Sequence, residues 1–413
     1  MARAKKPEVW SFFSGALGLD LGLEKAGIFP TLVNEIDFDC CETIRLNRPS
    51  VQLISDSIAS LDADKLRKAR GFKGEVDLMV GGPPCQSFSP GGKRAALTDP
   101  RGNLIYEYLR LIGEVRPRRF VLENVANLTT AALRHRPISE RPGQHWSLKT
   151  YDHSWLSGDE DHAPLSEDEL SGSAVRQILA DIRGLGYFVT FGVFDAADYG
   201  AAQHRLRFVM IGARDFSPPV LPSATHGPSA LLPYRVLKDE IWKFRRRPGK
   251  GAKYTPDVEQ YFALVPEGGN WRSLPRKLQR KAMGGSFAAG GGKTGFYRRL
   301  AWNRPAPTIT GRANRKGSAL CHPEVVRPLS VRECAAIQGF APDWKFSGSM
   351  SSQYMQIGNA VPAALGCAIG QAIVEHKEQA AVAWADDYDQ QLERAVTRLR
   401  ASARNHRVAG PRR

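Results

Sequence analysis

Apolar and polar residues alternate in two different rhythms over the first half of the chain. Short, largely apolar runs appear at VWSFFSG, TLVNEID, VQLISDS, VDLMVGG, RRFVLENV, YFVTFGVFDA and LRFVMIGA. Between them, LDLGLEKAG, FDCCETIRLNR, NLIYEYLRLIGEVR and SAVRQILADIRGLG repeat apolar positions every three or four residues. The first rhythm is that of strands buried on both faces, the second that of amphipathic helices. Their alternation through residue 215 predicts an α/β domain, a mainly parallel sheet with helices on both faces. Only ADYGAAQHR separates the last two strands. That link is too short for a helical crossover, so these two strands are expected to pair antiparallel.

Two regions break the rhythm. Residues 128–172 show no clear periodicity and are rich in Pro, His, Ser and acidic residues. They read as a partly disordered insertion loop on the sheet edge where the fifth strand ends. Residues 216–326 are rich in Pro, Gly and Arg, with short, irregular strand signals. Helical spacing returns in LSVRECAAIQGF and PAALGCAIGQAIVEHKEQAAVAW, and the tail 389–413 is basic and weakly patterned. No 18-residue apolar run exists, so no membrane span is expected. The N-terminal MARAKKPEVWSFFSG lacks the apolar region and cleavage site of a signal peptide. A cytoplasmic location is the expectation.

Charge changes the picture more than composition does. The formal net charge is +16. Residues 216–326 hold 20 Lys and Arg against 6 Asp and Glu, so most of the excess lies in one segment. Such clustering points to a polyanion, nucleic acid first, over the plainer reading of a solvated surface. Among the six cysteines, Cys40, Cys41, Cys85, Cys321, Cys334 and Cys367, no pair has the spacing of a zinc knuckle, and no metal is expected. Five of them read as small hydrophobes. Cys85 stands apart, on the rigid exit VGGPPCQSFS of the fourth strand.

Candidate chemistry gathers at the carboxyl ends of the predicted strands. The first strand leads into the glycine-bearing turn FFSGALGLDLG, where a ligand can approach the backbone. Glu35, in NEID, falls where a ribose-binding acid lies in nucleoside-binding sheets. Asp56 ends the third strand; taken alone it is as well explained as a helix cap. AAGGGKTG resembles a phosphate-binding loop, but Phe287 stands where the motif needs a glycine, five residues before Gly292. An ATPase is thereby set aside. Cys85 follows the fourth strand, Glu123 ends the fifth in LENV, and QHRLR places Arg205 and Arg207 with opposite facings if extended. A thiol, a carboxyl group and a guanidinium from distant parts of the chain thus meet at one edge.

These residues, in this order, make the chain resemble the cytosine carbon-5 DNA methyltransferases, class I enzymes that use S-adenosylmethionine. FFSGALGLDLGLEKAG, NEID, GGPPCQSFS, RGNLIYEYLRL, ENV, QHRLR, RPLSVRECAAIQGF and QIGNAVP carry the resemblance. Leu17 departs from it, standing where the family has a glycine. The resemblance implies a Rossmann-like, mostly parallel seven-stranded sheet. It implies a catalytic domain over 1–215, a small target-recognition domain over 216–349, a return to the catalytic domain over 350–388 and a basic tail over 389–413. It places S-adenosylmethionine against Phe13, Ala16, Gly18, Glu35, Ile36, Asp56, Gly82, Pro84, Leu104, Asn359 and Ala360. DNA contacts are implied at Gln86, Ser89, Lys93, Arg94 and Arg101 in a mobile loop, and at Thr308, Arg312 and Arg315 in the small domain. The implied partner is double-stranded DNA, acted on by a monomer, with a cognate restriction endonuclease that need not bind it.

The implied chemistry suits the residue types. Cytosine carbon-5 is a poor nucleophile until a thiolate, here Cys85, adds to carbon-6. Glu123 would hydrogen-bond the ring nitrogen and amino group and Arg207 the carbonyl oxygen, with Arg205 supporting the thiolate side. A cytosine inside a duplex must first leave the stack. The base that removes the carbon-5 proton stays open, water among the candidates. Two rivals are a tRNA-methylating relative, disfavoured by the large basic segment, and a non-catalytic DNA-binding protein, disfavoured by the intact Cys85, Glu123 and Arg207.

Overall fold

In the computed structural model, residues 6–84, 104–134, 164–288, 295–317, 320–379 and 387–408 are described, with side chains through Ala401. The first of these segments carry β1 (Val9–Phe12), α1 (Gly18–Lys25), β2 (Leu32–Asn34), α2 (Phe38–Asn47), β3 (Gln52–Ile54), α3 (Ala63–Arg70) and β4 (Leu78–Gly81). Then follow α4 (Leu104–Val115), β5 (Arg119–Val125), α5 (Ser173–Gly184), β6 (Phe188–Asp195), β7 (Gln203–His204) and β8 (Leu206–Ala213). Seven strands form one sheet in the order β3-β2-β1-β4-β5-β8-β6. All neighbours are parallel except that β8 runs antiparallel to both β5 and β6. The short link before β8 forces that reversal, as its length predicts. This is the class I methyltransferase sheet, Rossmann-like, with its strand order switching direction at β1 and β4. A crevice opens there at the carboxyl ends of the strands.

Strands β1 and β4 are buried at every position, as expected for a sheet covered on both faces. Trp10, Phe12, Tyr108 and Phe120 fill one side with α4 and α5. On the other side α1 packs against α11 (Ala363–Glu375), which brings the chain back from the small domain. The contact needs glycine: a Cβ at Gly22 would sit 2.4 Å from the Ala363 carbonyl, and one at Gly366 would sit 2.6 Å from that of Leu19. Helices α10 (Met350–Asn359) and α11 form the longest apolar helical stretch, broken at Ala360–Pro362.

The segment 216–326 differs from its irregular strand signals. It folds into short helices α6 (Leu237–Ile241), α7 (Pro256–Ala263) and α8 (Arg276–Met283) with the two-residue strand β9 (Ala306–Pro307). Tyr254, Phe262, Trp271, Met283 and Tyr297 make a core of their own there. The patterns were too short to reveal a 3.6 period in helices of five to eight residues. Helix α9 (Val331–Gln338) follows, set by a Ser330–Glu333 capping box and closed by Gly339 at φ 88°. A second core joins α6 and α9 to Ala16, Leu21, Ile357 and Ala363, so 216–349 packs onto the sheet body with no break at residue 349.

The basic, weakly patterned tail carries a helix: Tyr388–Val408 forms α12, whose Leu392, Ala395 and Leu399 are buried against the sheet edge. One further expectation is corrected. The insertion is narrower than 128–172. Leu128, Ala132, Leu165 and Leu170 are buried, and Arg134 N–H donates to the Asp168 carbonyl at 2.9 Å. Its middle, 135–163, lies outside the described residues.

Candidate active site

Beyond β1 the backbone turns through three left-handed residues, Phe13 (φ 54°), Gly15 (φ 52°) and Leu17 (φ 67°). Two of the three are not glycine, and such conformations cost non-glycine residues free energy. Leu17 offsets the cost by burying its side chain with Val33 and Ile44. Gly18 starts α1, and a Cβ there would lie 2.7 Å from both the Ala360 Cβ and the Val361 oxygen. Gly18 therefore packs directly against the Ala360–Val361 turn, and Ala16 and Ala360 share one buried cluster.

Glu35 stands opposite, at the end of β2. Its Oε2 accepts from Gly15 N–H at 2.7 Å, while Oε1 accepts from Ile36 N–H at 2.8 Å and Asp37 N–H at 2.9 Å. Three backbone donors fix the carboxylate, which keeps lone pairs for hydroxyl groups. Beside it Ile36 is 65% exposed and Phe38 73% exposed. Large apolar side chains left in solvent next to an anchored acid fit an aromatic ring on a ribose. Asp56 is exposed beyond β3 and its carbonyl accepts from the buried Asn34 Nδ2 at 2.9 Å. Leu104 opens α4 and is half-buried; Asn359 ends α10 and is exposed.

The second half of the site lies across β4, β5 and β8. Glu123 is buried, and Arg207 Nε lies 2.7 Å from its Oε1. Burial raises the Glu123 pKa, opposed by the charges of Arg207 and Arg205. A Cβ on Gly82 would sit 3.0 Å from Glu123 Oε2, so the exit of β4 runs against the carboxyl group. Asn124 Nδ2 donates to the Pro83 carbonyl at 3.0 Å and clamps that exit. Pro84 is exposed at the end of the described segment. Cys85, Gln86, Ser89, Lys93, Arg94 and Arg101 lie outside the described residues.

Arg205 and Arg207 face opposite ways. Arg205 is 2% exposed and donates to the carbonyls of Ile309 at 2.8 Å and Gly358 at 2.7 Å. Its guanidinium ties the small domain to the end of α10. Thr308 donates its hydroxyl to the His204 carbonyl at 2.9 Å, and Gln203 accepts from Ile309 N–H at 3.1 Å. Strands β7 and β9 pair through the same stretch. Arg312 and Arg315 are exposed on the small domain. Asn34, Asn124 and Gln203 carry roles that sequence reading passed over. Each sits inside a quoted motif, yet only the fold shows which backbone group its amide meets.

The comparisons agree with this geometry. Residues 8–137 and 166–375 match the family described as C-5 cytosine-specific DNA methylase. Type II methyltransferase M.Eco47II of Escherichia coli is 34% identical over 374 residues, covering 89% of this chain and 78% of its own. Type II methyltransferase M.PspPI of a Psychrobacter strain is 36% identical over 368 residues, covering 88% and 77%. A prophage-encoded E. coli protein ascribed to the DNA modification methyltransferases shares the fold, with a TM-score of 0.56 at 20% identity over 89% of this chain and 98% of that one. The chain belongs to the C-5 cytosine-specific DNA methylases. It is a DNA cytosine methyltransferase, and DNA is its substrate.

Proposed function

We propose that the chain transfers a methyl group from S-adenosylmethionine to carbon-5 of a cytosine flipped out of duplex DNA, through a covalent adduct with Cys85. We take it to act as a cytoplasmic monomer and as the modification half of a type II restriction-modification system, as its relatives' names suggest. The observation that carries the chemistry is the buried Glu123, paired with Arg207 and touching the strand exit that leads to Cys85.

The crevice fits the cofactor. Glu35 would hold the ribose hydroxyls, Ile36 the adenine face and Asp56 its amino group, with Phe13, Ala16, Gly18, Gly82, Pro84, Leu104, Asn359 and Ala360 around the remainder. When bound, S-adenosylmethionine supplies an electrophilic methyl group. The chain's own residues do the rest. Cys85 thiolate forms a bond to carbon-6, and the electron pair moves toward carbon-5 and the ring nitrogen. Glu123 would hydrogen-bond that nitrogen and the exocyclic amino group, protonated or sharing a proton, and Arg207 would bond the carbonyl oxygen. After carbon-5 is methylated, loss of its proton restores the ring and breaks the carbon–sulfur bond. Arg205 acts at a distance, as a positioning residue.

Bisulfite sequencing of DNA from cells expressing the protein should show methylcytosine within one sequence context. Wild type should form a stable adduct on 5-fluorocytosine duplex, since fluorine cannot leave as a proton does. Cys85→Ser should form none and lose methylation, because a serine hydroxyl is scarcely ionised at neutral pH. Turnover by the serine variant at the wild-type rate sinks the covalent route.

A further inference from the structure

The stretch QHRLR stands out for its arginines, yet its histidine has a partner of its own. Strand β6 ends at Asp195 and β8 begins at Leu206, with residues 196–205 making the turn between them. Asp195 is buried and holds both ends of that turn. Its Oδ1 accepts from Ala197 N–H at 3.2 Å and from Arg205 N–H at 2.8 Å, and its Oδ2 meets His204 Nδ1 at 2.8 Å. Burial acts to raise the Asp195 pKa, but the His204 ring and the two backbone donors outweigh it and hold the carboxyl below its usual value. An ionised carboxylate only accepts, so Nδ1 carries the proton.

The pair lies where two parts of the molecule join. The His204 carbonyl accepts from the Thr308 hydroxyl at 2.9 Å, and Gln203–His204 pairs with Ala306–Pro307 of the small domain. The His204 ring stands edge-on to Tyr234, with centroids 5.4 Å apart, and the Tyr234 hydroxyl donates to Asp198 Oδ1 at 3.0 Å. Arg398 of α12 closes on the other oxygen of Asp198. Past the pair, the strand runs straight into the active site. Arg207 lies opposite Phe194 on β6 and Val125 on β5, its Nε 2.7 Å from Glu123 Oε1. Strand side chains alternate, so the facing of Arg207 follows from that of Arg205, whose backbone N–H Asp195 pins.

We propose that Asp195 and His204 are positioning residues for methyl transfer: their side-chain pair ties the strand carrying Arg207 to the turn before it and to the small domain, and so holds the guanidinium in place for the target cytosine. It rests on the reading that Glu123 and Arg207 receive that base. A pair that only stapled the turn would change stability and leave the rate of bond formation alone.

The test measures the rate of adduct formation on 5-fluorocytosine duplex at saturating protein, in the full chain and in Asp195→Asn, His204→Leu and His204→Asn. Affinities for S-adenosylmethionine and duplex, and the thermal midpoint, are measured alongside. Asp195→Asn keeps the size and an oxygen for Arg205 N–H but loses the charge facing the ring. His204→Leu removes the donor, whereas His204→Asn places an amide N–H near the site of Nδ1. Asp195→Asn and His204→Leu should each slow adduct formation about tenfold to a hundredfold, the cost of a small misplacement, with both affinities within about twofold of wild type. His204→Asn should recover to within about threefold of wild type. In an Arg207→Lys background, Asp195→Asn should slow the reaction by no more than about twofold, because residues that act through one another are non-additive. Variants that react as fast as wild type, or lose only affinity or thermal stability, overturn the proposal. So does His204→Asn as slow as His204→Leu, or full slowing by Asp195→Asn in the Arg207→Lys background. If His204→Leu does not fold, Asp195→Asn and its pairing with Arg207→Lys decide. Wild type that forms no adduct is a different failure, that of the active-site reading itself, and takes this proposal with it.

Discussion

Asp20 shows what one residue can hold against water. It sits in the first turn of α1, is 1% exposed, and neither carboxyl oxygen makes a hydrogen bond among the described residues. Burial pushes its pKa up to about 7, only partly opposed by the neighbouring Ser11 hydroxyl. The folded state therefore keeps a proton that the unfolded chain has lost, over the interval from about 4 to about 7. Stability from this group is full at the acid end and is lost as pH rises through 7. Asp20→Asn mimics the protonated form. In urea unfolding at pH 8 it should exceed wild type by up to about 4 kcal/mol, the gap closing toward pH 4. A gap that does not change with pH would show that Asp20 does not titrate in this range. Sequence alone shows an Asp in the first helical turn, a common stabilising position at the surface. Burial reverses its meaning, and burial appears only once α1 has packed beside Ser11 of β1 and Arg48 at the end of α2. Glu123 was legible because its neighbours in LENV carry a resemblance, but its pairing with Arg207 joins residues 84 apart in number and appears only once β5 and β8 lie side by side.

Elements of the sheet were legible because its inner strands, buried on both faces, leave continuous apolar runs. Short elements were not. Helices α6 to α8 are each eight residues or fewer, and α12 has its apolar positions at 392, 395, 396 and 399 hidden among arginines and glutamines. The insertion was misjudged for a related reason, since its buried ends lack any period of their own. Those ends define a sharper experiment. Gly172 N–H donates to the Ala131 carbonyl and Arg134 N–H to that of Asp168, so the two flanks already lie side by side. Replacing 138–162 by a short Gly-Ser bridge should leave the thermal midpoint within a few degrees of wild type. Replacing 135–168 removes the buried Leu165 as well and should cost about 2 kcal/mol more. Equal destabilisation by the two deletions would mean that the middle of the insertion carries structure of its own.

Across the whole molecule, recognition and catalysis are joined by one core rather than by a linker. Leu237, Ile241 and Phe244 pack with Ala16, Leu21 and α9, while Arg205 and Gln203 hold Ile309 from the catalytic side. The charge pattern located the basic segment, with its excess over 216–326, but could not show that its first and last stretches belong to this shared core. A separate cluster between Tyr254 and Cys321 is built on Phe262, Trp271, Met283 and Tyr297, while Leu300, Ala306, Ile309, Ala313 and Leu320 of the same stretch belong to the shared core. Arg312 and Arg315 lie within that stretch and are exposed. Arginine is the commonest reader of guanine edges, worth roughly 1–3 kcal/mol of discrimination per bidentate pair. A graft that exchanges only 251–321 for the matching segment of a relative with another target should therefore fold and carry the donor's specificity. Exchange of the full 216–326 should give the same specificity with lower stability still, because it replaces Leu237, Ile241 and Phe244 in addition to the shared-core side chains from Leu300 to Leu320 that both grafts exchange. Bisulfite sequencing of host DNA reads the specificity and thermal unfolding reads the stability. If the smaller graft methylates this protein's own sequence, base reading lies outside 251–321 and the exposed arginines there serve only the phosphates.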